Sequence, residues 1–406
     1  MATLVPIKLR LVAPDWTDRV PAPAHDALTP AERRRYLAKH PDSYLSVTRA
    51  PEDQPPGEQW NAAEELSASR AALHALVDAG AFSPMGPPRL YLYRLSMPGH
   101  SQVGIVGGIA IDDYDSGLVR VHEQVRTGRV EHLTTQLDGL GVQSSPIALA
   151  HRDAQEITSV VERLLDATPA VVIADDSGLS QQVWAVDDDA AGLLCAALAD
   201  QALYLVDGHH RAAAASLHFA HSRPGNGAVM LGATFPANQL RTEAFHRVLT
   251  DVDSGELLER LRTRCTVRPA ASVDAVVARS PHELALLTGG RWWLVGLALA
   301  GEATTTVGPL DRLDPVRLQQ HVLAPLLDIE PSSASDVLDY RPGLGDRDDV
   351  AAIEAAMSDR RCAIWVMRPV PVDALIDISD AGLVMPPKST CFVPKVRSGV
   401  FLRSLS

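Results

Sequence analysis

The chain has 406 residues, 46% of them apolar and 21% charged, with a formal net charge of -13. That composition belongs to a globular protein large enough for two or three domains and excludes a disordered chain. The acidic balance argues against a nucleic-acid partner, since neutralising phosphates needs a basic face, but it leaves room for a small cationic pocket.

Residues 1–60 are rich in Pro, Asp and Arg. Thr29 as N-cap, Pro30 at the first helical position and Glu32 at N3 predict a helix from Pro30. Pro51–Gly57 reads as a linker or surface loop. Leu66–Ala79 carries helical periodicity and stops at Gly80. Arg89–Ser96 and Val103–Ile111 read as an antiparallel pair joined by the Met97–His100 turn. Glycines within Gly104–Gly108 mark a bulge or close strand packing. After the Asp112–Gly117 turn, Leu118–Glu123 is strand-like, and a helix through Arg129, Leu133 and Leu137 closes at Gly139 or Gly141.

Pro146–Leu149, Ala170–Ala174 and Val183–Val186 read as strands, Ile157–Leu165 and Ala190–Ala199 as helices. The apolar run Ala202–Val206 leads to Asp207. Val229–Phe235 is a buried strand and Gly255–Arg264 a helix. Trp292–Ala298 and Ala363–Met367 are strands, with Trp292-Trp293 in core and interface, and Val316–Leu326 and Val350–Ser358 are helices. The fold class is α+β. It divides into an N-terminal α+β region (1–100), a central core (101–250), a C-terminal α+β region (251–380) and a tail (381–406).

Cys195, Cys265, Cys362 and Cys391 are widely spaced, so neither a disulfide framework nor a zinc knuckle is supported. Met1–Val20 lacks an apolar stretch followed by a small-residue cleavage site, and no run approaches the roughly 20 apolar residues of a membrane span. The expectation is a cytoplasmic protein with no membrane partner.

Asp207-Gly208-His209-His210-Arg211 follows a buried strand and opens the Ala212–Ala215 run. A strand, a one-glycine turn and a helix start bring backbone N–H groups and the positive end of the helix dipole to one point. Two imidazoles, a guanidinium and a carboxylate able to hold a divalent metal sit at the same point. The alternative is a polar turn whose histidines cap and pack; five such residues in a row at a helix entrance favour a phosphate site. His122-Glu123 precedes a helix, where Glu123 either acts as a general base or favours the helix N-terminus electrostatically. Phe245-His246-Arg247 is either a second phosphate contact, with His246 and Arg247 meeting substrate, or an exposed polar segment. His100, His132, His151 and His282 are scattered, and packing is the default for each.

Residues 118–216 resemble the ParB/sulfiredoxin-like core in the version found in free-serine kinases. The resemblance is carried by His122-Glu123, Arg129-Val130-Glu131-His132-Leu133, Gly141, Pro146-Ile147 and Asp207–Arg211 with Ala212–Ala215. More than fifty residues, 150–203, separate the Pro strand from the Asp207 turn, an insertion of a size able to reshape the substrate pocket. The rest of the chain resembles a long bacterial domain-of-unknown-function family closing on Met385-Pro386-Pro387-Lys388-Ser389-Thr390 and Phe392-x-Pro394-Lys395.

The resemblance implies a kinase transferring a phosphoryl group from ATP, or ADP, to a small free amino acid, foremost L-serine, giving O-phosphoserine. Glu123 would accept the hydroxyl proton, and Asp207 would hold Mg²⁺. Gly208, His209, His210 and Arg211 would bind phosphate, with His209 also at the reacting centre and His122 at the substrate. Neither a Walker loop nor a protein-kinase His-Arg-Asp signature is present. The alternative is a ParB-like nucleotide switch or partner-binding protein without transfer. A sulfiredoxin-like reductase would need a cysteine where Gly208 and His209 stand. A homodimer is compatible with the sequence.

Lysine is rare, 4 residues against 33 arginines, yet Lys388 and Lys395 share the Pro-stiffened tail with Ser389 and Thr390. Prolines lower the cost of ordering such a segment. The tail either folds back, bringing Lys388, Ser389, Thr390 and with them Lys395 to the phosphate, or remains solvated.

Overall fold

The computed structural model describes residues 3–25, 28–50, 53, 60–174, 178–222, 228–280, 283–297, 308–330, 338–356 and 361–405. Most of the Pro51–Gly57 linker, His282 and the ends of the Trp292–Ala298 and Val350–Ser358 elements lie outside them. The chain forms two compact units. The first comprises Met1–Val121, Val125–Leu240 and Pro394–Ser406, and the second His122–Gln124 and Arg241–Val393. Both mix helices and sheets, an α+β fold.

Among the described residues, nine strands form the main sheet of the first unit. Their order is Val119–Arg120, Leu203–Asp207, Ile147–His151, Val229–Pro236, His100–Ala110, Tyr91–Met97, Ser180–Ala185 and Val171–Ala174, with Leu4–Val5 also on His100–Ala110. Leu203–Asp207 is parallel to its short edge neighbour and antiparallel to Ile147–His151. Leu203 to Val206 are all buried, the signature of an interior strand rather than a half-solvated one. Leu149, Leu203, Leu205, Ala212 and Ala215 share a core with Ile157, Leu194 and Leu198.

The long insertion extends this framework. Its helices Gln155–Leu165 and Asp188–Ala199 contribute Ile157 and Leu194 to the core. Its hairpin, Val171–Ala174 with Ser180–Ala185, forms the sheet edge opposite the Val119–Leu203 side. A smaller sheet places Phe401–Ser404 between Arg10–Leu11 and Val142–Gln143. The Phe401 ring is fully buried and packs edge-on against Tyr93, with centroids 5.2 Å apart.

Local signals set the element ends. Thr29 and Glu32 form a reciprocal capping box on the helix Pro30–Lys39. The helix Ala62–Asp78 ends just before Gly80, and Thr127–Leu140 is closed by left-handed Gly141. The glycines of His100–Ala110 answer to close packing. A Cβ on Gly104 would lie 2.6 Å from the Phe235 ring, and one on Gly107 would lie 2.7 Å from Leu90 and 2.9 Å from the Val5 carbonyl.

The second unit is built on a sheet ordered Thr266–Pro269, Arg291–Gly296, Glu283–Thr288, Ala363–Val366, Arg241–Leu249 and Leu338–Gly343, with Cys391–Val393 pairing to the start of Arg241–Leu249. Its interior strands alternate between two cores. Leu284, Leu286, Val295 and Trp365 join helix residues Leu257, Leu261, Leu318 and Val322 on one face. Ala285, Leu287, Trp292, Leu294, Ile364 and Val366 join Val276, Val350 and Ile353 on the other. Helices cover both faces, so these antiparallel strands read as continuous apolar runs.

Two segments differ from the form their sequence predicts. The segment expected as one helix over Val316–Leu326 is broken into Asp314–Leu318, a wide π turn Gln319–Leu323, and Ala324–Leu327. Pro325 has no N–H to continue the ladder and its ring crowds the carbonyl four residues back, which a wider turn relieves. Phe245-His246-Arg247 is the buried middle of the strand Arg241–Leu249, not an exposed segment.

Gly107→Ala should destabilise the first unit by about 1–3 kcal/mol, because the new methyl meets a fixed backbone carbonyl as well as side chains. Thermal melting should fall by several degrees; an unchanged midpoint would show that Gly107 has slack.

Candidate functional site

The strand Leu203–Asp207 slips register against Ile147–His151 between Leu205 and Asp207, so Val206 is bulged. A bulge twists the chain and re-aims the next side chain. Gly208 follows at φ +95°, a conformation that disfavours any side chain, and the helix His209–Ser222 begins at once. The Gly208 carbonyl accepts the first helical bond from the Ala212 N–H (2.9 Å). The Arg211 guanidinium turns back over the glycine, 3.0 Å from where a Cβ would stand. It donates to Asp207 Oδ2 and to the Pro146 carbonyl. Asp207 Oδ1 lies 3.2 Å from Lys395 Nζ, and all three charged side chains are largely buried.

His209 is buried at the helix start. His210 Nε2 accepts the Arg126 backbone N–H at 3.0 Å, where the helix Thr127–Leu140 lacks a side-chain cap of its own. Nε2 therefore carries a lone pair, and the neutral ring holds its proton on Nδ1. Lys395 is set in place by its own segment. Gln102 donates to the Pro394 carbonyl (3.2 Å), and Ser144 Oγ accepts the Gly399 N–H (2.7 Å).

The other residues singled out from the sequence belong to the second unit. The Met385 N–H donates to the His122 carbonyl (2.8 Å), and Glu123 bridges Met385 in parallel. His122 is buried, with Nε2 3.4 Å from Thr390 Oγ1. Ser389 Oγ donates to the Pro386 carbonyl (2.7 Å). Lys388 is left-handed, φ +59°, with Nζ 4.9 Å from the centroid of Phe245. Buried Arg247 donates to the carbonyls of Phe245 (2.5 Å), Lys388 (2.9 Å) and Pro387 (3.4 Å) and stacks on Tyr340. Burial pushes its pKa down to about 10.

His246 is fully buried with both ring nitrogens engaged. Nδ1 accepts the Met367 N–H (3.1 Å), so Nε2 donates to Asp349 Oδ2 (2.7 Å). Burial opposes ionisation of Asp349, but hydrogen bonds from His246 and the Gly345 N–H overcome it, so its carboxyl titrates below the usual range. This pair joins positions 103 apart and had no signal in the local sequence.

The scattered histidines pack as ordinary ones do. His132 meets Glu65 at 3.3 Å and His100 meets Gln102 at 3.4 Å. His151 bonds Thr234 (3.0 Å), and burial lowers its pKa to about 4, leaving it neutral. Among the described residues, no helix is long and apolar enough to cross a membrane.

Two mixed units, one with a charged turn at a strand-to-helix junction, define the class as α+β. The chain belongs to the DUF1015 family, described as proteins of unknown function, whose family model matches residues 5–316. No curated protein matches it. Among solved structures it is similar to a free serine kinase in complex with AMP, at 13% identity and a TM-score of 0.37, over 74% of this chain and 92% of that one. It is also similar to a conserved hypothetical protein from Pyrococcus furiosus (14% identity, TM-score 0.36, 73% and 93% of the two chains). A third is SbnI with a C-terminal truncation from Staphylococcus aureus (10%, 0.40, 72% and 85%).

The lowered Asp349 carboxyl contributes stability that is fully present above its unfolded value, about 3.9, and is lost as pH falls through the lower folded value. Asp349→Ala leaves the buried His246 N–H without its acceptor, at a cost of about 1–3 kcal/mol at pH 7. Urea unfolding from pH 3 to 7 should show a less stable variant with a shallower acid limb. Parallel curves would remove Asp349 from the acid response.

Proposed function

We propose that the first unit contains a ParB/sulfiredoxin-like nucleotide-binding core and that the chain is a phosphotransferase acting on a small free hydroxy amino acid, L-serine foremost. The observation that carries this reading is the Asp207–Arg211 turn. A bulged strand end, a left-handed glycine and a helix N-terminus meet there, with Arg211 and Lys395 held on one carboxylate. Such a junction suits a phosphate, because backbone N–H groups and the helix dipole favour an anion at that point.

In the proposed reaction the serine oxygen forms a bond to the terminal phosphorus of ATP or ADP, and the bond from that phosphorus to its bridging oxygen breaks. The shortened nucleotide leaves with the electron pair. Glu123 takes the hydroxyl proton, a role that rests on the His122-Glu123 pattern of the resembled core. His209, His210 and Arg211 stabilise phosphate charge, and Gly208 allows close backbone approach. The resemblance gives His122 and Lys388–Thr390 to substrate and phosphate. The bonds of His246 and Arg247 support a framework role instead, holding the Pro387–Lys388 turn and the Asp349 contact.

Asp207 is a hard oxygen donor of the kind Mg²⁺ prefers, but Arg211 engages its Oδ2 and Lys395 its Oδ1, so Mg²⁺ would have to displace one of these cations to bind it. Bound there, Mg²⁺ would neutralise charge on the nucleotide phosphates.

The test is incubation with ATP or ADP, Mg²⁺ and a panel of hydroxy amino acids, with products read by mass. Phosphorylated serine is the expected outcome. Binding of nucleotide without product would make the chain a nucleotide switch. Glu123→Gln should lower turnover by ~10²–10⁴-fold and leave nucleotide affinity intact; undiminished turnover removes Glu123 as the base.

A further inference from the structure

We infer that Lys388, backed by buried Arg247, forms a carboxylate-binding subsite of the second unit that takes the α-carboxylate of the amino-acid acceptor. This rests on the proposed transfer to a free hydroxy amino acid and names the group by which that acceptor is held.

Two cations of the second unit have no anion to answer them. The Arg247 guanidinium is buried, and its hydrogen bonds run to the main-chain carbonyls of Phe245, Lys388 and Pro387. It lies over the Tyr340 ring, 5.0 Å from the centroid, while Lys388 Nζ lies 4.9 Å from that of Phe245. The two rings meet edge-on at 6.4 Å, so the cations flank one aromatic pair. Among the described residues neither cation forms an ion pair with a carboxylate, Glu123 included. A buried charge without a counter-charge is costly, which favours a ligand that brings the missing charge.

The backbone is bent to the same end. Lys388 stands at φ +59°, where glycine would be less strained. Arg247 holds that turn by the Pro387 and Lys388 carbonyls, and Ser389 Oγ closes it on the Pro386 carbonyl. A turn needed only for its shape would be served better by glycine; the lysine adds an ammonium. Lys388 therefore meets the ligand, and Arg247 is a positioning residue that acts through it.

Both ends of this segment are fastened to the proposed reacting residues. The Met385 N–H donates to the His122 carbonyl, Glu123 bridges Met385, and Thr390 Oγ1 lies 3.4 Å from His122 Nε2. Glu123 is where the acceptor hydroxyl would lose its proton. The carboxylate is that acceptor's one fixed anion, whereas the nucleotide phosphates have the Asp207 turn. A carboxylate on a lysine ammonium makes a charge-assisted hydrogen bond.

The test compares L-serine with L-serinamide, which keeps the hydroxyl and the ammonium and has no carboxylate. Affinities are measured by calorimetry on the full chain with ADP and EDTA, with thermal melting of each variant alongside. The parent should favour L-serine by about 10- to 100-fold, the effect of one charge-assisted hydrogen bond. Lys388→Met should erase that preference and leave serinamide and ADP affinity as in the parent, and Lys388→Arg should recover most of it. Arg247→Lys keeps a charge and loses the planar fork that holds two carbonyls, so it should narrow the preference. A merely structural role would weaken both ligands alike, and that outcome removes Arg247 from the subsite. Equal parental affinity for both ligands, a preference that survives in Lys388→Met, or a loss of ADP affinity in its place overturns the inference and leaves the phosphotransferase reading standing. A parent chain that binds neither L-serine nor serinamide overturns both.

Discussion

The Asp207 carboxylate is the joint on which the first unit's site depends. One oxygen ties the strand end to the first turn of the following helix through Arg211, and the other ties both to the Pro394–Ser406 segment through Lys395. Arg211 also reaches the Pro146 carbonyl, the residue just before the neighbouring strand. A single acidic group thus aligns a strand bulge, a helix N-terminus and two further segments. Each partner is charged or a backbone carbonyl, so the arrangement is directional in a way that apolar packing is not. The left-handed Gly208 makes it sterically possible, since a Cβ would press on the guanidinium.

The second unit solves a different problem, the burial of polar groups inside a sheet. Arg247 sits in the middle of a strand and satisfies its guanidinium with main-chain carbonyls around Pro387 and Lys388. His246, its neighbour on the opposite face, uses one ring nitrogen for the Met367 amide and the other for Asp349. A buried polar group costs free energy unless its bonding capacity is met, and these bonds fix where the Pro386–Ser389 turn and the Gly343–Gly345 loop run. The left-handed Lys388 lies in the turn so held.

Features set by local chemistry were legible in the sequence. The Thr29–Glu32 box, the helix ends at Gly80 and Gly141 and the strand–glycine–helix junction at Asp207 all depend on residues a few positions apart. Alternation in the second unit's sheet was hidden because both faces are covered, so Leu284–Leu287 reads as one apolar run. His246 and Arg247 looked solvated because their partners, Asp349 and the Pro387–Lys388 carbonyls, lie more than a hundred residues away. The Pro146 carbonyl and the Arg126 amide were beyond sequence reading altogether, being main-chain atoms with no residue type to mark them.

The Phe401–Ser404 strand has a consequence for how the protein is made. Residues up to Leu240 cannot finish their unit until Pro394–Ser406 has been synthesised, whereas the second unit's last strand, Cys391–Val393, is complete just before. At typical elongation of about 5–20 residues per second, the intervening stretch takes roughly 8–30 s. Through that interval the nascent chain holds an open sheet and vacant pairing positions at Arg10–Leu11 and Val142–Gln143. A transcript stopped short of Lys395 would therefore yield a chain that lacks both its charge and its closing strand, and its exposed apolar surface would be open to chaperones and proteases.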